Sequence, residues 1–129
     1  MKIVPIRSLQ VEFATWLSRT PQFVSTIDVL GQALWRTMLE CNEILTKLIV
    51  NRLLTDKQIV KIINDFNKFI ELILDYTPES IHIHLSAYYI VTIEKMIKRS
   101  EEVEHYEVCS NLKRFSDYYF TNATPTYND

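Results

Sequence analysis

Hydrophobic residues recur at helical spacing along most of this chain. The clearest repeat covers residues 56–75, where apolar side chains fall on one side of a helix and charged or amide side chains on the other. Thr55 precedes it and is a good N-cap residue. A second repeat spans about three heptads; its members are Ile27, Leu30, Leu34, Met38, Cys41, Leu45 and Leu48. Both patterns predict amphipathic helices.

A shorter helix is predicted near the N-terminus. Ser8 can cap it, and Leu9, Phe13, Trp16 and Leu17 lie on one side, so we expect it to end at Leu17 or Ser18. Residues 1–7 contain a proline and alternate weakly, which predicts an extended arm or a short strand. The second helix is predicted to begin at Ser25 or Thr26.

Residues 80–98 are apolar on opposite sides of a helix, with Leu85 on one side and Ile83 on the other. A helix that is apolar all round is either a membrane span or buried in a bundle. The segment is short for a bilayer and carries histidine and charged side chains, which favours a buried central helix. Its cap is predicted to be Ser80, or Thr77 with Pro78 at the first helical position.

The residues after this segment predict a helix boundary. In Lys98-Arg99-Ser100-Glu101, cations are followed by a capping residue and then by acids. The last helix is then Glu101–Tyr119, although one continuous helix through Tyr119 is the alternative. The fold class predicted is all-α: a compact bundle of four to five helices around a central apolar helix at about 80–98. We expect a single domain, 1–129, with a flexible polar tail at 121–129.

Composition narrows the functional classes. The chain has 129 residues and a single glycine, which argues against phosphate-binding loops and hairpin-rich folds. The net charge of −2 argues against nucleic acid as the partner. The abundance of Ile, Asn, Lys and Tyr is typical of AT-rich coding sequences, as in many viruses and some bacteria.

Neither a metal, a cofactor nor a membrane is indicated. His82 and His84 would point about 200° apart on a helix and could not share a metal ion. The amphipathic helices lack the Trp-plus-Lys/Arg flanks of membrane-surface helices. Cys41 and Cys109 are interpreted as two small buried hydrophobic residues in a reduced compartment. With no apolar run long enough for a signal peptide, a cytoplasmic location is expected.

One short motif has a chemical interpretation. Arg99-Ser100-Glu101-Glu102-Val103-Glu104-His105 resembles the R-x(4–6)-H signature of HEPN-domain proteins, which are all-α and include metal-independent ribonucleases that act as dimers. The resemblance implies that Arg99 contacts phosphate and that His105 transfers a proton or positions the scissile phosphate. It covers seven residues, and Ser100 stands where the family usually has Asn or Asp.

Aromatic residues near the C-terminus are the remaining feature of the sequence that indicates a function. Tyr118, Tyr119 and Phe120, together with Tyr106, are candidates for a protein-binding surface, because aromatic side chains bury a large area at low entropic cost. By elimination, the sequence favours a small non-enzymatic regulatory module that docks on another protein through its helices, with a homodimer as one form. The alternative function is a HEPN-like ribonuclease that uses Arg99 and His105.

Overall fold

A computed structural model describes residues 4–19 and 29–121 of the protein. These residues form five α-helices and a final π-helical turn, with no strand among them. The helices are α1 (Ile6–Leu17), α2 (Val29–Thr46), α3 (Asp56–Tyr76), α4 (Glu79–Glu102) and α5 (Tyr106–Ser116), and the π-helical turn is Asp117–Thr121. The prediction of an all-α bundle is confirmed. Most of the predicted tail, residues 122–129, lies outside the described residues.

Helix α1 begins three residues earlier than predicted, with its N-cap at Pro5 instead of Ser8. Pro5, with φ −58° and ψ 147°, occupies the N-cap position, and its carbonyl accepts a hydrogen bond from the Ser8 N–H at 3.0 Å. Proline suits a helix start because it has no N–H that would need a partner there. Ser8 therefore lies inside the helix, and the predicted arm at 1–7 does not extend past Pro5.

Helix α3 begins where the sequence predicts. The Thr55 hydroxyl accepts a hydrogen bond from the Gln58 N–H at 3.1 Å, and the Gln58 side chain accepts one from the Thr55 N–H at 2.8 Å. This capping box satisfies two backbone donors that the helix itself leaves unpaired. The start predicted for the preceding helix, at Ser25 or Thr26, lies outside the described residues.

Helix α4 contacts every other helix, but through one side only. Tyr88 donates a hydrogen bond to the Leu17 carbonyl of α1, and Tyr89 donates one to Asn42 of α2 at 3.3 Å. The Tyr89 ring also meets Phe66 of α3 edge to face, with 5.1 Å between ring centroids. The opposite side is open to solvent, and the Ile83 side chain there is 70% exposed. Helix α4 is therefore the central helix that the sequence predicts, although one of its two apolar sides faces solvent.

The start of α4 also differs from both predicted caps. Pro78 itself takes the N-cap position, and its carbonyl accepts the Ile81 N–H at 2.9 Å. Thr77 instead donates its hydroxyl to the Ile73 carbonyl at 3.0 Å, back toward α3. Ser80 lies within the helix and is exposed.

The break between α4 and α5 lies further along the chain than predicted. Glu104 adopts φ 60°, the left-handed conformation that usually selects glycine. The His105 N–H bonds to the Ser100 carbonyl at 2.9 Å and the Glu104 N–H to the Glu101 carbonyl at 3.1 Å. These two bonds form a Schellman motif, which ends α4. Two separate helices exist, as predicted, but Ser100 is a buried residue inside the first and does not cap the second.

The core lies between the helices and is rich in aromatic rings. Phe13, Phe66, Tyr89 and Phe115 are among its largest fully buried side chains. Cys41 and Cys109 are both buried, as predicted. Burial raises the pKa of the Cys41 thiol from its ordinary value near 9 to about 12, so this thiol stays protonated and unreactive at neutral pH.

Candidate functional site

The π-helical turn places two of the predicted binding residues beside helix α3. Between the turn and the helix lies a cleft of about 580 Å³, which we call the aromatic groove. Its lining is formed by Asp56, Val60, Ile63, Asn64, Asn67, Tyr118 and Tyr119. The groove therefore combines two tyrosines, two aliphatic side chains and three side chains that can accept hydrogen bonds.

Tyr119 is held firmly in the wall of this groove. Its ring stacks on Phe115 at 5.6 Å and meets Phe66 edge to face at 5.2 Å. Its hydroxyl donates a hydrogen bond to Asn67 Oδ1 at 3.2 Å. Burial raises the pKa of Tyr119 to about 12, so the phenol stays neutral and remains a donor at physiological pH. Tyr119 therefore has two roles: its fixed ring sets the shape of the groove, and it forms part of the surface that a ligand would contact.

Tyr118 lies at the rim, near the start of α3. Its hydroxyl is 3.3 Å from Asp56 Oδ1, and the same oxygen accepts a hydrogen bond from Arg114 Nη1 at 3.0 Å. Asp56 is mostly exposed, so its carboxylate can still accept a donor from outside. The rim of the aromatic groove is therefore polar while its floor is aliphatic and aromatic.

The other two predicted binding residues do not line the groove. Phe120 is half-buried and meets the Phe115 and Tyr119 rings edge to face at 6.4 and 5.0 Å. Tyr106, at the start of α5, is 58% exposed. The structure therefore brings Tyr118, Tyr119 and Phe120 together and leaves Tyr106 apart from them.

Sequence reasoning missed the part of the groove that α3 contributes. Val60 is 46% exposed there, beside the half-buried Ile63. The available signal was that Val60 is an aliphatic residue lying off the apolar stripe of α3, where a solvated face would carry a polar side chain. Asn67 gave no such signal, because an exposed amide on a helix is ordinary.

Arg99 and His105, the residues of the HEPN-like motif, both bond to the N-terminal part of the chain. Arg99 Nε donates to Glu12 Oε1 of α1 at 2.9 Å, forming an ion pair that is about two-thirds buried. His105 is only 7% exposed, and its Nε2 contacts the Val4 carbonyl. Both polar groups therefore have partners within the fold.

The described residues show neither a metal-ligand cluster nor a membrane-spanning helix. No group of three or more His, Cys, Asp or Glu side chains there is arranged to hold a metal ion. His82, in the first turn of α4, instead reaches back to the end of α3, where its Nε2 is 3.0 Å from the Thr77 carbonyl. No helix in residues 4–19 or 29–121 has the length and apolar character to cross a bilayer.

Comparison with known proteins gives no match, whether to protein families, to curated proteins or to solved structures. Function must therefore be argued from the chemistry of the surface. The aromatic groove is the feature on which the sequence-predicted residues and the described geometry converge.

Proposed function

We propose that this chain is a small non-enzymatic regulatory module that docks on another protein through the aromatic groove. The occupant is a helical segment of the partner that inserts an aliphatic side chain against Val60 and Ile63. A hydrogen-bond donor on the same segment would reach the Asp56 carboxylate. The observation that carries this proposal is the aliphatic floor, open to solvent and framed by rigid tyrosines and acceptors.

Two physical terms support this proposal: the free energy of burying the apolar floor, and the small loss of side-chain entropy on binding. Its floor would gain about 25 cal/mol for each Å² of apolar surface that a partner removes from water. Tyr119 is already fixed by two ring contacts and a hydrogen bond, so little side-chain entropy is lost on binding. Aromatic anchors of this kind dominate the energetics of protein interfaces.

The alternative, a HEPN-like ribonuclease, gains no support from the surroundings of its two key residues. A guanidinium that stabilises a phosphorane must be free to face the phosphate, and Arg99 is paired with Glu12. A proton-transferring imidazole must reach the substrate, and His105 is buried against the Val4 carbonyl.

The test is an affinity capture from the native cell extract, read by mass spectrometry, with a matched pair of variants. Val60→Arg places a charged side chain in the groove from a position that is 46% exposed. Val91→Arg makes the same substitution at a position on α4 that is 58% exposed and does not line the groove. We expect Val60→Arg to lose the captured partner, with an affinity loss of about thirtyfold or more. Val91→Arg should retain it.

Two further measurements can contradict the proposal. Equal capture by both variants would exclude the groove as the docking surface. Metal-independent cleavage of RNA by the purified chain, if abolished by Arg99→Ala in a protein with an unchanged circular dichroism spectrum, would put the ribonuclease first. Sedimentation of the same variants distinguishes a homodimer, because Val60→Arg would then dissociate it.

A further inference from the structure

A second groove lies on the opposite side of α3, where α2 ends and the α2–α3 loop turns back. Its volume is about 340 Å³, and we call it the basic groove. Leu54 and Ile62 form a buried aliphatic floor with the half-buried Val50 beside them. Because residues 58 and 60 of a helix point about 200° apart, this groove and the aromatic groove occupy separate flanks of α3.

The rim of the basic groove carries charges of one sign. Lys47 directly follows the end of α2, Arg52 lies in the loop and Lys61 lies in α3, and no acidic side chain is among the lining residues. Lys61, whose side chain is 77% exposed, pairs with Asp65 at 3.4 Å. Within the described part of the chain, Lys47 and Arg52 have no ion-pair partner. Two cations are thus left available in a protein whose net charge is negative.

The wall of this groove is held in place from α5. The buried Asn111 accepts a hydrogen bond from the Leu54 N–H at 2.9 Å, and its amide donates to the Arg52 carbonyl at 2.9 Å and to the Leu48 carbonyl at 3.2 Å. One side chain therefore satisfies three backbone groups of the loop. The loop cannot close over the floor without breaking these bonds, so the groove is formed before any ligand arrives.

We infer that the basic groove binds an acidic amphipathic helix of a partner protein. Such a helix would place aliphatic side chains on the floor of Leu54 and Ile62, while its carboxylates pair with Lys47, Arg52 and Lys61. Nucleic acid fits less well, because no aromatic side chain lines the groove to stack on a base. This site is independent of the aromatic groove, and its test does not depend on what binds there.

The test measures fluorescence anisotropy of a labelled synthetic peptide about four helical turns long, with leucine on one side and glutamate elsewhere. Lys47→Glu/Arg52→Glu should weaken its binding at least about tenfold, since two attractions become repulsions. The control Lys68→Glu/Lys98→Glu makes the same change in net charge at exposed lysines outside the groove. It should change the affinity by less than about twofold. Both variants are first checked for an unchanged unfolding transition.

Peptide variants test the two halves of the inference separately. A peptide with glutamine in place of glutamate should bind more weakly and lose the salt dependence. A peptide of the same composition with its leucines scrambled off one face should also bind more weakly. The inference is overturned if both protein variants bind alike, or if either altered peptide binds as well as the parent. Tighter binding of single-stranded RNA, or a dimer that Lys47→Glu/Arg52→Glu dissociates, would assign the groove to another occupant.

Discussion

The two flanks of α3 are built from the same helix and offer opposite chemistry. On the flank toward the π-helical turn, the polar groups Asp56 and Asn67 accept hydrogen bonds from Arg114, Tyr118 and Tyr119. On the flank toward α2, the cations Lys47 and Arg52 lack an ion-pair partner among the described residues. In the aromatic groove, Asp56 and Asn67 already accept hydrogen bonds from within the fold, whereas the basic groove keeps two charges available for a ligand.

The difference follows from what each flank faces. The flank of α3 toward the π-helical turn, which we call the aromatic flank, faces aromatic rings that pack on the core. Its shape therefore depends on packing against Phe66 and Phe115. The flank toward α2, which we call the basic flank, faces the α2–α3 loop. Its shape therefore depends on the hydrogen bonds that Asn111 makes to this loop. A change in packing should therefore disturb the first groove, and a change in hydrogen bonding should disturb the second.

The largest expected effect on stability comes from Phe66, a buried residue of α3 that packs against Tyr119 in the wall of the aromatic groove. Its ring touches Tyr89, Phe115 and Tyr119, so Phe66→Ala should cost about 3–5 kcal/mol of unfolding free energy, measured by urea denaturation. Val60→Ala, at an exposed position on the same helix, serves as the control and should change stability by no more than about 0.5 kcal/mol. A cost below about 1 kcal/mol for Phe66→Ala would mean that the ring is not part of the core.

The next largest effect should fall on the basic flank. Asn111→Ala removes the partner of the Leu54 N–H and of the Leu48 and Arg52 carbonyls, which should cost about 1–3 kcal/mol. Hydrogen exchange at the Leu54 amide should accelerate well beyond the global change, because the loop opens locally. Asn64→Ala, an exposed amide of the aromatic flank, provides the matched control. Uniform acceleration across the chain would argue against a local role for Asn111.

The smallest expected effect is a loss of stability at alkaline pH. It arises from Tyr119, in the wall of the aromatic groove. Burial raises the pKa of Tyr119 from its ordinary value near 10 to about 12, so the folded state holds this proton more tightly than the unfolded state. Its contribution to stability is complete below about pH 10 and is lost as pH rises toward 12. Near pH 11 the loss should reach at most about 1 kcal/mol per pH unit.

Tyr119→Phe isolates this group from the other buried tyrosines. Between pH 9 and 11, the unfolding free energy of the variant should fall less steeply than that of the wild type. The difference in slope near pH 11 should be at most about 1 kcal/mol per pH unit, measured by urea denaturation at each pH. Identical pH dependence in the variant and the wild type would mean that Tyr119 titrates alike in the folded and unfolded states.

Local signals in the sequence were sufficient for helix α3 but not for α4. The start of α3 depends on Thr55 and Gln58, three residues apart, and its burial follows one apolar stripe. The side that α4 buries depends on neighbours distant in sequence, such as Leu17 and Asn42. Both sides of α4 are apolar enough to be buried, so periodicity alone could not choose between them.

The sequence by itself determined that the chain is helical, because spacing, caps and the scarcity of glycine act within a few residues. Only the tertiary structure decided where α4 ends, since Glu104 takes a left-handed conformation that its residue type does not announce. The tertiary structure also decided which side chains share a groove. Arg114 reaches Asp56 and Asn111 reaches Leu54 across more than fifty residues of chain. Such pairings follow from how the helices pack, and helix packing is set by the whole core rather than by any one segment.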